Sequence, residues 1–366
     1  MLLINASNLY VGGGMQVGIS VINELTLEGT PFIAAVSPPV FEQLSEAAKI
    51  NTIIIEKSPS GMFNFSVRRA LDALVVTHKI EKVFTIFGPS YWSPKVSTHL
   101  VGFALPWLIY DTGAIYNKLT IKEKLKKIIL SFIQPYFFKK NASALVCETQ
   151  DVNEKISVLL KFDPKKIFTV SNTIADVYSN ESLYDLSILK KLPKKNENDV
   201  WLLSISHNYP HKNLHCIKSL INILPDNYKF ITTLDKDFLT DLPDESKKRV
   251  ITLGAVTIYQ CPPLYIASDA LFLPTLLECY SASYAEAMYM CKTILTSDRS
   301  FAKTICGNAA FYFDPLDNAD IASKILLASN DSDAREHKLL VGKEISNATP
   351  NARQRAQKYM SILNGI

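Results

Sequence analysis

Residues 274–286 read PTLLECYSASYAE, and this stretch is the most informative part of the chain. The apolar run Ala270–Leu273 before it has the length of a short buried strand, and Tyr284–Met290 after it carries helix-forming residues. We therefore predict a strand, a polar loop and a helix start. Open α/β sheets bind ligands in such loops, at the carboxyl ends of their strands. Glu278 would face the ligand from the loop, and Glu286 from the first turns of the helix.

The two glutamates suit a ligand that carries neighbouring hydroxyl groups. One carboxylate accepts two hydrogen bonds from vicinal hydroxyls, the geometry that a ribose or hexose ring offers. A chain this rich in glutamate shows about one Glu-x7-Glu pair by chance, so the spacing supports a ligand site only together with the strand, loop and helix around it. A sugar nucleotide carries both kinds of ring.

The composition is typical of a globular protein with two domains. The chain has 366 residues, of which 48% are hydrophobic and 20% are charged. Its first residues, Met1–Asn5, have the pattern of a strand, so we predict no signal peptide. The longest apolar stretches are shorter than the roughly 20 residues of a membrane-spanning helix. We expect a cytoplasmic protein.

The cysteines are scattered and include no C-x-x-C pair, which favours reduced thiols in the core or in loops. Cys279 falls in the candidate site, but no histidine neighbours it in sequence. We therefore favour a structural thiol over a nucleophile at this position.

Strands alternate with helical patterns along the first half, which predicts βα units and a parallel sheet. The predicted strands are Leu2–Asn5, Phe32–Ser37, Thr52–Ile55, Lys82–Phe87, Leu100–Phe103 and Ala144–Cys147. The predicted helices include Gln16–Leu27, Phe41–Lys49, Ser66–His78 and Val152–Leu160. The fold class is α/β, with a first domain over 1–180, a hydrophilic linker over 181–199 and a second domain over 200–349.

Each domain opens with a strand that leads into a loop suited to an anion or a sugar. In the first, Gly12, Gly13 and Gly14 precede a helical pattern and would offer bare backbone amides, although a flexible turn explains three glycines almost equally well. In the second, Lys212 precedes the predicted helix Leu214–Ile223 and would neutralise a diphosphate, the alternative being a solvated lysine.

The positive charge is concentrated in the first half. Residues 1–175 contain 18 Lys and Arg against 13 Asp and Glu, whereas 176–366 contain 21 against 22. Seven of these lysines bracket the apolar, aromatic run Ile128–Phe138: Lys118, Lys122, Lys124, Lys126, Lys127, Lys139 and Lys140. This pattern suits the surface of an anionic membrane, and it equally suits an ordinary helix with a core side and solvated lysines. A net charge of only +4 and the lack of a recognition module argue against nucleic acid.

One pattern points to a metal site instead. Asp235 and Asp237 follow the strand-like Phe230–Leu234 and would hold a divalent ion on a sugar diphosphate. Such a motif belongs in an amino-terminal nucleotide domain, whereas this one lies past the midpoint. We therefore predict no metal site.

Residues 274–286, with 292–298 and 307–315, resemble the nucleotide-sugar site of retaining glycosyltransferases of family four, also called glycosyl transferases group 1. The resemblance implies the GT-B fold, in which two Rossmann-like domains face each other across a cleft. It also implies that a helix within 350–366 packs on the first domain. The implied enzyme is a metal-independent retaining hexosyltransferase that needs no cofactor and uses a UDP- or GDP-sugar donor.

The same resemblance assigns roles to individual residues. Glu278 and Lys212 would be catalytic, Glu278 holding the donor sugar and Lys212 the diphosphate. Glu286 would hold the ribose hydroxyls. The remaining implied donor-binding residues are Thr275, Ser281, Ala282, Ser283, Gly13, Gly14 and His207, the last standing where the family usually has an arginine.

The implied acceptor is a glycan or a lipid-linked saccharide, as in the assembly of O-antigen lipopolysaccharide or capsule, with contact at the inner face of the plasma membrane. Three other functions stay open. A sugar-nucleotide epimerase would need an acid/base pair across the cleft. A non-catalytic sugar-nucleotide-binding or scaffold protein would tolerate loss of the cation that binds the phosphates. A metal-dependent glycosyltransferase would be sensitive to chelators.

Overall fold

The computed structural model describes residues 1–61 and 63–366. Within these residues the chain forms thirteen strands: β1 (Leu2–Ala6), β2 (Phe32–Val36), β3 (Thr52–Ile54), β4 (Lys82–Thr85), β5 (Thr98–Gly102), β6 (Ala144–Cys147), β7 (Ile167–Thr169), β8 (Val200–Ser204), β9 (Tyr228–Thr232), β10 (Val250–Thr252), β11 (Ala270–Leu273), β12 (Thr293–Ser297) and β13 (Ala310–Phe313).

The same residues form fifteen α-helices: α1 (Gly13–Leu27), α2 (Pro38–Glu42), α3 (Glu46–Lys49), α4 (Phe65–Thr77), α5 (Gly113–Tyr116), α6 (Ile121–Asn141), α7 (Gln150–Leu160), α8 (Ile217–Leu220), α9 (Asp244–Lys247), α10 (Cys261–Ala267), α11 (Ala282–Tyr289), α12 (Ser300–Cys306), α13 (Asn318–Asn330), α14 (Ser332–Ala348) and α15 (Ala352–Gly365).

The chain divides into two compact units. The first contains Met1–Tyr110, Thr120–Thr173 and Pro350–Ile366, and the second contains Asp111–Leu119 and Ile174–Thr349. The described residues of the first unit build a sheet in the order β3-β2-β1-β4-β5-β6-β7, with neighbouring strands parallel.

Strand β1 shows how the sheet of the first unit is covered on both faces. Its five residues are all buried. Leu2 and Ile4 pack in a core with residues of α1 and α15, whereas Leu3 packs in a separate core with residues of α4. Alternate side chains of a strand point to opposite faces, so two layers of helices are needed to bury them. Each fully buried Leu or Ile contributes about 1.5–3 kcal/mol to stability.

Helix α15 belongs to the first unit although it lies at the end of the sequence. Its Arg355 donates a hydrogen bond to Ser20 Oγ of α1 over 2.7 Å and another to Asn172 Oδ1. Tyr359 adds a ring contact with Phe84 of β4, with centroids 4.8 Å apart. The helix therefore fills one side of the first unit's core.

The second unit contains a sheet in the order β10-β9-β8-β11-β12-β13, again with parallel neighbours. In both sheets the strand order reverses beside the strand that comes first in the sequence, between β1 and β4 and between β8 and β11. This is the Rossmann-type strand order, and the predicted α/β class is confirmed.

Most predicted strands agree with the observed bounds to within two residues, but two predicted helices differ. The predicted helix Phe41–Lys49 is split into α2 and α3, because Ser45 caps α3 by accepting a hydrogen bond from the amide of Ala48. The predicted helix Leu214–Ile223 is a 3₁₀ turn, Leu214–Cys216, followed by the short α8.

The chain differs from the predicted domain boundaries in two places. Residues 111–119 cluster with the second unit, where Lys118 Nζ donates to Asn213 Oδ1 over 3.3 Å. The predicted linker 181–199 also packs within the second unit: Ile188 is buried, and Gln260 Nε2 donates to Asp185 Oδ2 over 2.8 Å. Among the described residues, no helix is both long enough and apolar enough to cross a membrane.

Candidate active site

The candidate site lies at the carboxyl edge of the second unit's sheet. Strands β8 and β11 are neighbours, paired through Leu202 and Ala270, and the strand order reverses between them. Each is followed by a loop, and loops that leave such a reversal point form the crevice in which open α/β sheets bind ligands. The sequence prediction of a strand, a loop and a helix start at β11 and α11 agrees with this structure.

Short hydrogen bonds tie the loop after β8 to the loop after β11. The amide of Leu276 donates to the carbonyl of His211 over 2.7 Å, and Thr275 Oγ1 lies 3.2 Å from the same carbonyl oxygen. Thr275 is fully buried. The two loops therefore form one framework, and Thr275 positions it.

Lys212 and Glu278 form the charged centre of this framework. The ammonium group of Lys212 donates to Glu278 Oε1, which also accepts a hydrogen bond of 3.1 Å from Thr275 Oγ1. Their side chains are only 18% and 11% exposed. Both are thus held in the crevice with limited access to water, where electrostatic interactions are stronger than at an open surface.

The backbone after Lys212 explains why this lysine lies on a tight turn. Pro210–Lys212 is a 3₁₀ turn, and Asn213 adopts a left-handed conformation with φ of 55°. Asn213 Nδ2 donates to the carbonyl of Pro315 over 2.8 Å, which anchors the turn. Asparagine tolerates the left-handed region better than most residues, so the chain can turn here without glycine.

Glu286 lies on α11 and is buried. Its Oε2 accepts a hydrogen bond of 2.9 Å from the hydroxyl of Tyr265, a residue of α10. The ring of Tyr178 packs edge-on against Tyr265, with centroids 6.1 Å apart. Burial raises the pKa of the Glu286 carboxyl above its usual value, and the hydroxyls of Tyr265 and Tyr178 act in the opposite direction.

The first turn of α11 brings backbone amides to the same edge. Ser281 is the N-cap residue, and its side chain makes no capping hydrogen bond. Ala282 and Ser283 follow as the first helical residues, and Ser281 and Ser283 are buried. The amino terminus of a helix carries partial positive charge, which suits a phosphate or sugar oxygen.

His207 lies on the loop after β8 and is exposed. Its ring is 5.5 Å from that of Tyr209, which in turn stacks on His211 at 5.5 Å with 13° between the planes. These three side chains form a row of rings on one loop. His207 is thus placed on the site's loop, as a member of this row of rings.

Gly13 and Gly14 lie in the first unit, at the start of α1, where Gly12 is the N-cap residue with φ of 75°. A side chain at Gly13 would meet nothing within 4 Å, whereas one at Gly14 would lie 3.2 Å from the Phe87 ring. Gly12 and Gly13 therefore have open space beside them at the amino terminus of α1, whereas Gly14 packs against Phe87.

Asp235 and Asp237, the alternative metal motif, are exposed residues in and beside a 3₁₀ turn. Across residues 1–61 and 63–366, no group of three or more His, Cys, Asp or Glu side chains is arranged to hold a metal ion.

Sequence reasoning missed the two tyrosines beside Glu286. Tyr265 precedes Glu286 by 21 residues and Tyr178 comes from the segment after β7, so no local spacing connects them. The one usable signal is that a tyrosine buried on an apolar helix needs a partner for its hydroxyl.

Two parallel sheets with this strand order, in two units of one chain, are the architecture of the GT-B fold. The chain matches solved structures of that class over its whole length. It aligns with HepE from Anabaena, solved with UDP and glucose, at a TM-score of 0.71 and 13% identity, covering 100% of this chain and 99% of that one. It aligns with WaaG, a glycosyltransferase involved in lipopolysaccharide biosynthesis, at a TM-score of 0.72 and 13% identity, covering 100% of both chains. The predicted GT-B fold is confirmed.

In sequence, the chain is similar to the O-antigen chain mannosyltransferase RfbU of Salmonella typhimurium. The two are 24% identical over 208 residues, which cover 53% of this chain and 55% of the relative. The match thus spans about half the length of that protein. No protein-family model matches the chain.

Proposed function

We propose that this chain is a glycosyltransferase that moves a hexose, with retention, from a UDP- or GDP-sugar to a glycan or lipid-linked saccharide. The observation that carries the proposal is the joining of Lys212 and Glu278 at the strand-order reversal of the second unit. The sequence similarity to an O-antigen mannosyltransferase and the fold shared with HepE, which was solved with UDP and glucose, support it.

Lys212 would bind the diphosphate of the donor. The leaving nucleoside diphosphate gathers negative charge as the glycosidic bond breaks, and a cation already held in place stabilises that charge. The Glu278 carboxylate and the anchored turn at Asn213 hold the ammonium group in the crevice before the donor arrives. Because this lysine supplies the positive charge, the proposal requires no metal ion.

Glu278 would accept hydrogen bonds from the hydroxyls of the donor sugar. Its Oε1 is fixed by Lys212 and Thr275, so the carboxylate keeps one orientation. Each carboxylate offers about four acceptor positions, which leaves others for two sugar hydroxyls. Retention follows if the acceptor hydroxyl attacks the anomeric carbon on the face from which the diphosphate leaves. The new carbon–oxygen bond then forms as the bond to the diphosphate breaks, and the leaving diphosphate takes the proton of the hydroxyl, so no protein nucleophile is needed.

Glu286 would hold the ribose hydroxyls, and the amides of Ala282 and Ser283 would face the phosphate or sugar. Tyr265 takes one acceptor position of Glu286 and fixes its orientation. Gly13 and Gly14 stay candidate donor-binding residues of the first unit. His207 would donate a hydrogen bond to the phosphates.

The acceptor belongs to the same proposal. An O-antigen or capsule precursor, carried on a lipid, would bring the reaction to the inner face of the plasma membrane. The half-length match to an O-antigen mannosyltransferase supports this class of acceptor.

The first experiment measures binding of UDP, GDP, ADP and their common sugar conjugates by titration calorimetry and thermal shift. A ligand at a hundred times its dissociation constant raises the stability of the unit that binds it by about 2.7 kcal/mol. We expect one base to bind, and we expect Lys212→Ala to weaken that binding about tenfold to a hundredfold. Absence of binding for every nucleotide would overturn the donor site.

Lys229 offers a matched control for Lys212. It pairs with Asp199 at 2.6 Å, its side chain is 17% exposed, and it lies in the same sheet but at the amino-terminal edge. Lys229→Ala should lower stability and leave the nucleotide affinity unchanged. Equal losses of affinity in the two variants would show that Lys212 acts only through the fold.

Turnover then separates the competing functions. NMR of the bound donor incubated with lipid-linked saccharides should show a new glycosidic bond with the donor's anomeric configuration, with and without EDTA. An epimerised donor would indicate an epimerase. Turnover that EDTA abolishes would indicate a metal-dependent transferase, and binding without turnover for any acceptor would indicate a scaffold protein.

A further inference from the structure

Helix α6 of the first unit exposes a row of large apolar side chains. It begins with a capping box between Thr120 and Glu123 and runs for 21 residues, over a length of about 31 Å. Seven of its apolar side chains are exposed, among them Ile121 at 85%, Phe132 at 75% and Leu125 at 58%. The other four are Ile128, Ile129, Ile133 and Tyr136.

These seven residues lie on one side of the helix. At 3.6 residues per turn they fall within a stripe about 140° wide. We call this stripe the outer face of α6.

The opposite side of α6 is already packed. Phe138 is fully buried and its ring contacts Phe103, with centroids 5.1 Å apart. Phe137 contacts Tyr91 at 5.0 Å, and Asn141 donates from Nδ2 to Ser93 Oγ. The helix therefore has two apolar sides, of which only one faces the core. An ordinary surface helix has a single apolar side, and it faces the core.

Lysines border the outer face. By the same helical geometry, Lys122 and Lys126 lie along one flank and Lys124 along the other, while Lys139 and Lys140 lie at the carboxyl end of the stripe. Glu123 is the single acidic residue of α6, and its carboxylate accepts a 2.8 Å hydrogen bond from the backbone amide of Thr120 in the capping box. The surround of the stripe is therefore almost purely cationic.

We propose that the outer face of α6 lies in the surface of an anionic lipid bilayer. The apolar side chains would enter the boundary between headgroups and acyl chains, and the lysines would extend their stems outward to reach the phosphates. Docking of two copies through this face would bring cationic flanks together, so the charge favours lipid over a second copy. This proposal does not depend on the glycosyltransferase assignment, because membrane contact by α6 requires no nucleotide.

Vesicle flotation of the full chain, without nucleotide, tests the proposal. We expect binding to vesicles that contain phosphatidylglycerol, little binding to pure phosphatidylcholine, and release as salt is raised. Replacing Leu125 and Phe132 with serine should reduce the bound fraction at least tenfold. Replacing Lys122, Lys124 and Lys126 with glutamine should reduce it on anionic vesicles and weaken the salt dependence.

A control pair with the same kind of change lies elsewhere in the first unit. Leu27 of α1 and Val158 of α7 are each 79% exposed, and their replacement with serine should leave flotation unchanged. Circular dichroism should show every variant folded, since each substitution is on the surface. Equal binding to both kinds of vesicle, no binding to either, or equal losses in the control variant would overturn the proposal. Self-association of the wild type that the Leu125 and Phe132 substitutions abolish would also overturn it, in favour of a second copy on this face.

Discussion

Removal of one hydroxyl group, by Tyr265→Phe, should destabilise the protein by an amount that increases with pH. The Tyr265 hydroxyl donates to Glu286 Oε2 over 2.9 Å, and both residues are buried. A hydrogen bond between neutral groups contributes about 0.5–1.5 kcal/mol to stability, and one to a charged group about 1.5–3 kcal/mol. The loss of stability in Tyr265→Phe should therefore be about 0.5–1.5 kcal/mol where Glu286 is protonated and about 1.5–3 kcal/mol where it is ionised.

The direction of the pH dependence follows from the pKa of Glu286. Burial raises this pKa above the usual 4.5, so the unfolded chain releases its proton first and stability falls as pH rises from the usual value to the raised one. The hydrogen bond from Tyr265 lowers the pKa of Glu286, so the variant has a still higher folded pKa and loses stability over a wider pH range. Urea denaturation at about pH 5 and about pH 8 would measure the two losses.

Tyr284→Phe is the matched control. Tyr284 is also fully buried, but its hydroxyl pairs with Thr296 Oγ1 at 2.8 Å and not with a carboxylate. Its loss should be about 0.5–1.5 kcal/mol at both pH values. An equal loss at both pH values for Tyr265→Phe, or the same increase with pH in both variants, would refute the role of Tyr265.

Two further predictions concern the sheets. Gly102→Ala should lower stability by about 3 kcal/mol or more, because the new Cβ would lie 1.8 Å from the carbonyl oxygen of Ile86. Gly13→Ala, which has open space around it, should change stability by less than about 0.5 kcal/mol. Thermal unfolding compares the two variants, and equal stability would contradict the clash at Gly102. Arg249→Lys should lower stability by about 3–5 kcal/mol, because the buried guanidinium donates to four backbone carbonyls that one ammonium group cannot reach together. Asp226→Asn, at an exposed partner of Arg249, should lower stability by less than about 0.5 kcal/mol. Urea denaturation measures both losses of stability, and a small loss for Arg249→Lys would contradict this account.

The strands of both sheets could be predicted from the sequence because buried parallel strands leave continuous apolar runs. Ala270–Leu273 and Ala144–Cys147 were predicted with their observed bounds. The helix break at Ser45 was missed, because a serine within an apolar pattern caps a new helix only if the chain turns there. Helix propensity alone does not predict that turn.

The strand, the loop and the helix start that carry Glu278 and Glu286 could be predicted, but not the contacts of these two side chains. The three elements follow one another directly in sequence. The pairing of Lys212 with Glu278 joins residues 66 positions apart and depends on the strand order of the sheet. The outer face of α6 is a similar case, since periodicity shows that a helix has apolar residues but does not show which side meets the core.

The position of α15 has a consequence for how the protein is made. The first unit uses residues from both ends of the chain, and the whole of Ile174–Thr349 lies between them. A ribosome therefore completes the second unit before it releases the helix that closes the core of the first. Until then the apolar surface that Tyr359 and Leu363 will cover stays open to water, and exposed surface of this kind makes a nascent chain prone to aggregate.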